Sequence, residues 1–145
     1  MMRAFVTLLF AAIVLGTGAA SATAASPATM YKNPQCGCCE EYAKYLERNG
    51  FEITIEPTVD LATIKKMARV PSKLEACHTL AIDGYVVEGH VPVDTLNRLL
   101  TEKPKIRGIA LPGMPMGSPG MTGSKAGQFT VYEISDGVPE VYAVE

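Results

Sequence analysis

Asn33-Pro34-Gln35-Cys36-Gly37-Cys38-Cys39-Glu40 places three of the four cysteines within one turn of chain, directly after a breaker pair. A thiolate is both a nucleophile and a soft-metal ligand, so such a cluster points to thiol redox chemistry or to a metal such as Cu(I) or Zn. Adjacent cysteines and those one residue apart close rings too tight for ordinary disulfide geometry. Cys36 and Cys39, a C-x-x-C pair, are therefore the one local disulfide the spacing allows.

The chain on either side explains why this loop decides the fold. Ala28 to Lys32 reads as a short strand that Asn33-Pro34 ends. Glu40 to Asn49 reads as a helix with Cys39, Tyr42, Ala43 and Leu46 on one face, closed by Gly50. The cysteines then sit at a helix N-terminus, where unpaired amides and the dipole favour thiolate. Phe51, Ile53 and Ile55 alternate with polar residues as a half-buried strand does, and Pro57 ends it. Asp60 caps a second helix with an apolar stripe of Leu61, Ile64 and Ala68; Met67 beside them is expected in the core rather than at a metal. Thr79–Ile82 and Tyr85–Val87 flank Asp83-Gly84, a strong hairpin signal, and Pro92 suits the first position of a helix over Val93–Leu100.

The predicted fold class is α/β, thioredoxin-like, with the order β-α-β-α-β-β-α. In that fold the loop entering the third strand approaches the redox turn, which brings Cys77 to the other cysteines. His78 follows at once, and strand alternation points it to the opposite face. Beyond Pro104 the composition changes. Residues 108–127 are rich in Gly, Pro and Met, with Lys125 the one charge, and 129–144 read as a closing hairpin around Asp136-Gly137. A loop of that length is usually functional or disordered. Met114, Met116 and Met121 favour function, because a thioether needs no deprotonation and selects Cu(I).

The 145-residue chain carries a formal charge of −2 and no basic patch, so nucleic acid is not an expected partner. Met1-Met2-Arg3, the apolar run Phe5–Leu15 and the small-x-small sites around Ala20–Ala24 read as a secretory signal peptide over residues 1–24, cleaved after about residue 22 to 25. Gly16, Thr17 and Gly18 interrupt the run too early for a membrane span. The expectation is a periplasmic or secreted domain over 28–145 without a membrane anchor after cleavage. No phosphate loop, hydrolase or transferase signature is present; His78 and His90 are the two histidines.

Four stretches occur in the order Cys36-Gly37-Cys38-Cys39, Cys77-His78-Thr79, Glu88-Gly89-His90-Val91-Pro92 and Pro112-Gly113-Met114-Pro115-Met116-Gly117-Ser118-Pro119-Gly120-Met121. In these the chain resembles the CopG-type periplasmic copper-resistance proteins, a thioredoxin-like family. The resemblance implies several Cu(I) ions on clustered thiolates and a role in cycling copper between Cu(I) and Cu(II) during efflux or detoxification, which would make the chain a copper oxidoreductase. Copper efflux or carrier proteins of the periplasm would be its partners. Met116 falls at a variable position of the pattern.

The residues themselves carry the same reading. Cys36, Cys38, Cys39 and Cys77 are the metal ligands, with Met114, Met121 and His90 in support and Met116 and His78 as further candidates. His90 heads a helix, where its cationic form is disfavoured. The alternative is a thiol-disulfide oxidoreductase in which Cys36 attacks and Cys39 resolves; it leaves the methionine loop unexplained. Zinc is a third reading, but structural zinc usually has two ligand pairs.

Overall fold

The computed structural model describes residues 26–145; the expected leader lies outside the described residues. The described residues form seven strands and three α-helices. They run β1 (Pro27–Lys32), α1 (Gly37–Arg48), β2 (Glu52–Pro57), α2 (Leu61–Met67), a 3-10 turn at Ser72–Leu74, β3 (His78–Ile82), β4 (Tyr85–Glu88), α3 (Val93–Glu102), β5 (Gly108–Ala110), β6 (Thr130–Ile134) and β7 (Val141–Val144). The order through α3 is the one expected. All seven strands join one mixed sheet, β2-β1-β3-β4-β5-β6-β7. β1/β2 and β4/β5 are parallel, and the remaining pairs are antiparallel.

The main core gathers Met30, Leu80, Val87 and Ile109 from the sheet with Tyr42 and Leu46 of α1 and Leu96 and Leu99 of α3. A smaller cluster of Val70, Leu74, Ala110 and Ile134 is separate from it. β1 and β3 lie side by side and antiparallel, so the loop leaving β1 and the loop entering β3 emerge at the same end. That topology puts Cys36 and Cys77 together.

Several boundaries depart from expectation. α1 begins at Gly37 instead of Glu40, with Cys36 as its N-cap in extended geometry, so Cys38 and Cys39 lie inside the first turn. Gly50 does take the left-handed conformation that ends the helix, with φ +89°. Pro92 is the N-cap of α3, one position before its expected place, and the helix runs on to Glu102. Pro57 closes β2 as its last residue, tolerable because β2 is an edge strand. Met67 is 76% exposed rather than in the core, and Lys65 is buried instead. The stripe of α2 is Leu61, Ile64, Lys65 and Ala68, an i, i+3, i+4, i+7 set on which the lysine has an internal partner and the methionine has no place.

The Gly/Pro/Met loop begins three residues later than expected, because Gly108–Ala110 form a buried strand parallel to β4. The closing hairpin is shorter, with β7 starting at Val141 and an irregularity at Val131/Tyr132. Gly108 is required where it stands: a Cβ there would overlap the Val86 carbonyl oxygen. Gly108→Ala is therefore expected to separate β5 from β4 and cost about 2 kcal/mol or more, as overpacking against backbone does. Urea unfolding of the two proteins checks this, and an unchanged midpoint would contradict the strand pairing.

Candidate metal centre

The site forms where the first turn of α1 meets the start of β3. Cys39 is fully buried, while Cys36, Cys38 and Cys77 are partly buried. Cys36 and Cys39 are joined by a disulfide, and Cys38 and Cys77 are free thiols. Cys39 Sγ lies 3.3 Å from Cys77 Sγ, and Cys36 Sγ lies 3.4 Å from Cys38 Sγ. All four sulfurs lie within 4.8 Å of one another.

A second set shares two of these sulfurs: Cys39, Cys77, His78 and His90 offer ligand atoms that also lie within 4.8 Å of one another. The Cys77 sulfur is 3.2 Å from His90 Nε2 and 3.6 Å from His78 Nδ1. His78 thus lies beside the cluster and not on the opposite face. Cys77 stands just before β3, so strand alternation does not govern the pair. Both imidazoles are buried. His90 Nδ1 lies 2.7 Å from the Pro119 carbonyl oxygen, which can only accept, so that nitrogen carries the proton and Nε2 turns its lone pair to Cys77. His78 Nε2 has no hydrogen-bond partner among the described residues.

The Tyr42 ring packs against both histidines, at centroid distances of 5.0 Å and 4.9 Å, and its hydroxyl donates to the Val91 carbonyl at 2.8 Å. Burial is also the main electrostatic influence. It pushes the Cys77 thiol up to about 12, with Cys38 adding to the rise. It holds His78 well below the usual histidine value, helped by His90 and Lys65, and lowers His90 against the opposing bond to Pro119. Without metal, Cys77 and its two histidine neighbours are therefore neutral; Cys77 lies in the loop before β3, away from the dipole of α1.

Two buried lysines fasten the segments that carry the cysteines. Lys32, at the end of β1, donates to the carbonyls of Asn33 and Pro34 at 3.1 and 3.2 Å and pairs with Glu40 at 3.0 Å, bracing the loop before Cys36. Lys65 pairs with Glu88 at 2.6 Å, both side chains buried, beneath the Cys77 segment. Burial raises the Glu88 carboxyl while Lys65, Thr79 and the Ala76 amide pull it down. Breaking such a pair from one side costs about 3–5 kcal/mol. Sequence reasoning missed the part these charged groups play and, although it placed Tyr42 on the inward face of α1, missed its packing against the histidines. Two signals could have found the lysines: Lys32 alternates in phase with Ala28 and Met30, and Lys65 falls on the apolar stripe of α2.

The methionine loop is docked on the site through its backbone. Gly120, with φ +80°, lies so close to α1 that a Cβ would stand 2.6 Å from Tyr42 N and 3.0 Å from the Cys38 carbonyl oxygen. Pro119 meets His90, and Met121, half-buried, follows in the chain with its amide bonded to the Ser118 carbonyl. Met114 is also half-buried. Met116 is 63% exposed with its methyl over Gly123 of the same loop.

A family model described as a protein of unknown function, DUF411, matches residues 74–121, a stretch that includes Cys77, His78, His90 and the methionine loop as far as Met121. Two solved structures of a copper resistance protein CopG, its forms 1 and 2, are similar to this chain with a TM-score of 0.77 at 36% identity. Each likeness covers 83% of this chain and 98% of the other. No curated protein matches the sequence.

The buried neutral groups fix a pH window for the metal-free protein with its Cys36–Cys39 disulfide intact. Below about pH 6.5, the ordinary histidine value, the unfolded chain binds more protons at His78 and His90 than the folded one does, so stability falls as pH falls. Glu88, raised above 4.5, works against this, but two imidazoles outweigh one carboxyl. Above pH 9.0, the ordinary thiol value, the folded chain holds its Cys77 proton longer, so stability falls again towards pH 12. Urea midpoints of the disulfide-bonded protein, measured without reductant, should therefore peak between these limits. A midpoint that rises from pH 9 to 11 would contradict the buried Cys77 thiol.

Proposed function

The chain belongs to the family of the copper resistance protein CopG, and from that premise we propose that it is an exported protein that holds more than one Cu(I) as cargo on Cys36, Cys38, Cys39 and Cys77. The observation that carries this reading is the approach of four sulfurs to within 4.8 Å of one another. A thiolate can bridge two soft ions, so four of them at that spacing serve several Cu(I) more naturally than one. The donor set fits the ion. Sulfur is soft, the imidazoles of His78 and His90 are neutral, and His78 Nε2 is a buried donor-acceptor atom in need of a partner. Zn takes such ligands too, but three cysteines in one turn depart from its usual paired spacing.

In this reading Met114 and Met121 cover the cluster from the docked loop, Met116 stays outside it, and His78 joins His90 as a support. The β1-α1-β2-α2-β3-β4-α3 portion is a thioredoxin-like core, to which β5, the methionine loop and the β6/β7 hairpin are added; together these make the domain over 28–145, after the leader. Residues 1–24 direct the chain to the periplasm or outside the cell. Among the described residues no helix is long and apolar enough to cross a membrane. Copper efflux or carrier proteins would exchange metal with it.

The Cys36–Cys39 disulfide favours a second activity at the same site. Oxidation of two thiolates to one disulfide releases two electrons, which reduce two Cu(II) to two Cu(I). The chain would then interconvert the two copper states, whereas a plain disulfide reductase would have no use for the docked methionine loop.

Anaerobic titration of the reduced protein against a Cu(I) chelator should give more than one equivalent bound, and the quadruple Cys→Ser variant should bind none of comparable strength. Cys77→Ser should weaken binding about as much as Cys39→Ser, by at least roughly tenfold, since loss of even an outer partner of a metal site costs that much. Equal affinity in the quadruple variant would remove the copper reading.

Met114→Leu/Met121→Leu keeps volume and apolarity and should cost less than about 1.5 kcal/mol of stability. Its copper should nonetheless be held more weakly and oxidise at a different rate in air. Reduction of a model disulfide should not change. A folded double variant with unaltered copper behaviour would leave the cysteines and histidines as the whole site.

A further inference from the structure

Cys77 is the one cysteine outside the α1 turn, and nothing covalent fixes it near the others. The residues on either side of it are pinned by groups that carry no ligand. The Ala76 amide donates to Glu88 Oε2 at 3.0 Å. Lys65 Nζ donates to the same oxygen at 2.6 Å, to Thr79 Oγ1 at 3.1 Å and to the His78 carbonyl at 3.4 Å. The Thr79 hydroxyl donates in turn to Glu88 Oε1. Glu88 is itself anchored, because Thr79 is its register partner across β3/β4 and its carbonyl accepts from the Leu111 amide at 2.9 Å.

We infer that Lys65 and Glu88 are positioning residues for Cys77, an internal ion pair that grips the backbone before and after it and so sets its sulfur against Cys39 and His90. The grip is specific to that segment. Each side-chain hydrogen bond of the pair goes to Ala76, His78 or Thr79, or within the pair. An apolar pair of similar size would fill the space but would leave the Ala76 amide and the His78 carbonyl without these partners. Since buried polar groups must be bonded, the segment would shift to satisfy them. The pair also explains how α2, which carries no candidate ligand, bears on the site.

The test separates holding the fold from holding the thiol. In a Cys36→Ser/Cys38→Ser background only Cys39 and Cys77 can pair, so a glutathione redox titration measures their effective concentration with no metal present. Lys65→Met/Glu88→Leu should keep the thermal midpoint near that of its parent, because apolar replacement of a buried pair is often neutral for stability. The effective concentration should nevertheless fall by at least roughly tenfold, the scale on which misplacement of reacting groups is felt. The control Lys65→Met/Glu88→Gln, which removes both charges but keeps an acceptor for the Ala76 amide, should show a smaller fall than the apolar double variant. A folded double variant whose effective concentration stays within about twofold of the parent's would overturn the inference. Should the double variant not fold, folded Thr79→Val carries the same reading, with a smaller fall expected and an unchanged value overturning it. The copper reading enters only at the last step, where the double variant in the four-cysteine chain should lose Cu(I) affinity in parallel. A fall in effective concentration with unchanged Cu(I) affinity would uphold the positioning and count against the copper reading instead.

Discussion

Cys39 Sγ meets Cys77 Sγ at 3.3 Å, and the polar groups of this end of the sheet are organised around that contact. The two sulfurs come from opposite sides of a β1/β3 seam, one on a helix turn and one on a loop, so their meeting depends on how both supports are held. Lys32 fastens the first support and the Lys65–Glu88 pair the second. Buried charges are expensive, and they persist here because each ends on carbonyls, an amide or a carboxylate that would otherwise lack partners. The docking of Gly120 on α1 and of Pro119 on His90 then closes the site from the methionine loop.

The chemistry follows from the dryness of that pocket. Desolvation keeps Cys77 protonated and both imidazoles uncharged at neutral pH. A metal must displace protons to enter, and a soft cation bound by several sulfurs repays that displacement where a hard one does not. Neutral nitrogen and thioether donors add coordination without adding charge. They suit a monovalent ion, whose thiolate complexes already approach neutrality.

Much of this was legible in the chain. The helix after the cysteine turn, the alternation at Ile53 and Ile55, the Asp83-Gly84 hairpin and the stripe of α3 are local patterns, and local patterns fix element order. Placing Cys77 near Cys36–Cys39 needed only that order and a known arrangement of strands. What escaped depends on partners distant in sequence. Lys65 and Glu88 are separated by a turn, a loop and a hairpin, and although Lys65 lies in phase with its apolar stripe, nothing local names Glu88 as its partner. Lys65 takes an inward position and Met67 an exposed one, because a lysine with an internal carboxylate competes well for such a place. His78 was aimed outward by a strand rule that applies only from His78 onward, while Cys77 still belongs to the loop. The start of α1 three residues early has the same kind of cause, since helix ends are set by what they dock against.

The most direct measurement is copper K-edge absorption of the anaerobically loaded, reduced protein. The account predicts a Cu(I) edge, a first shell dominated by sulfur, and a Cu–Cu scattering contribution from ions bridged by shared thiolates. A first shell dominated by nitrogen or oxygen with no metal–metal contribution would contradict it.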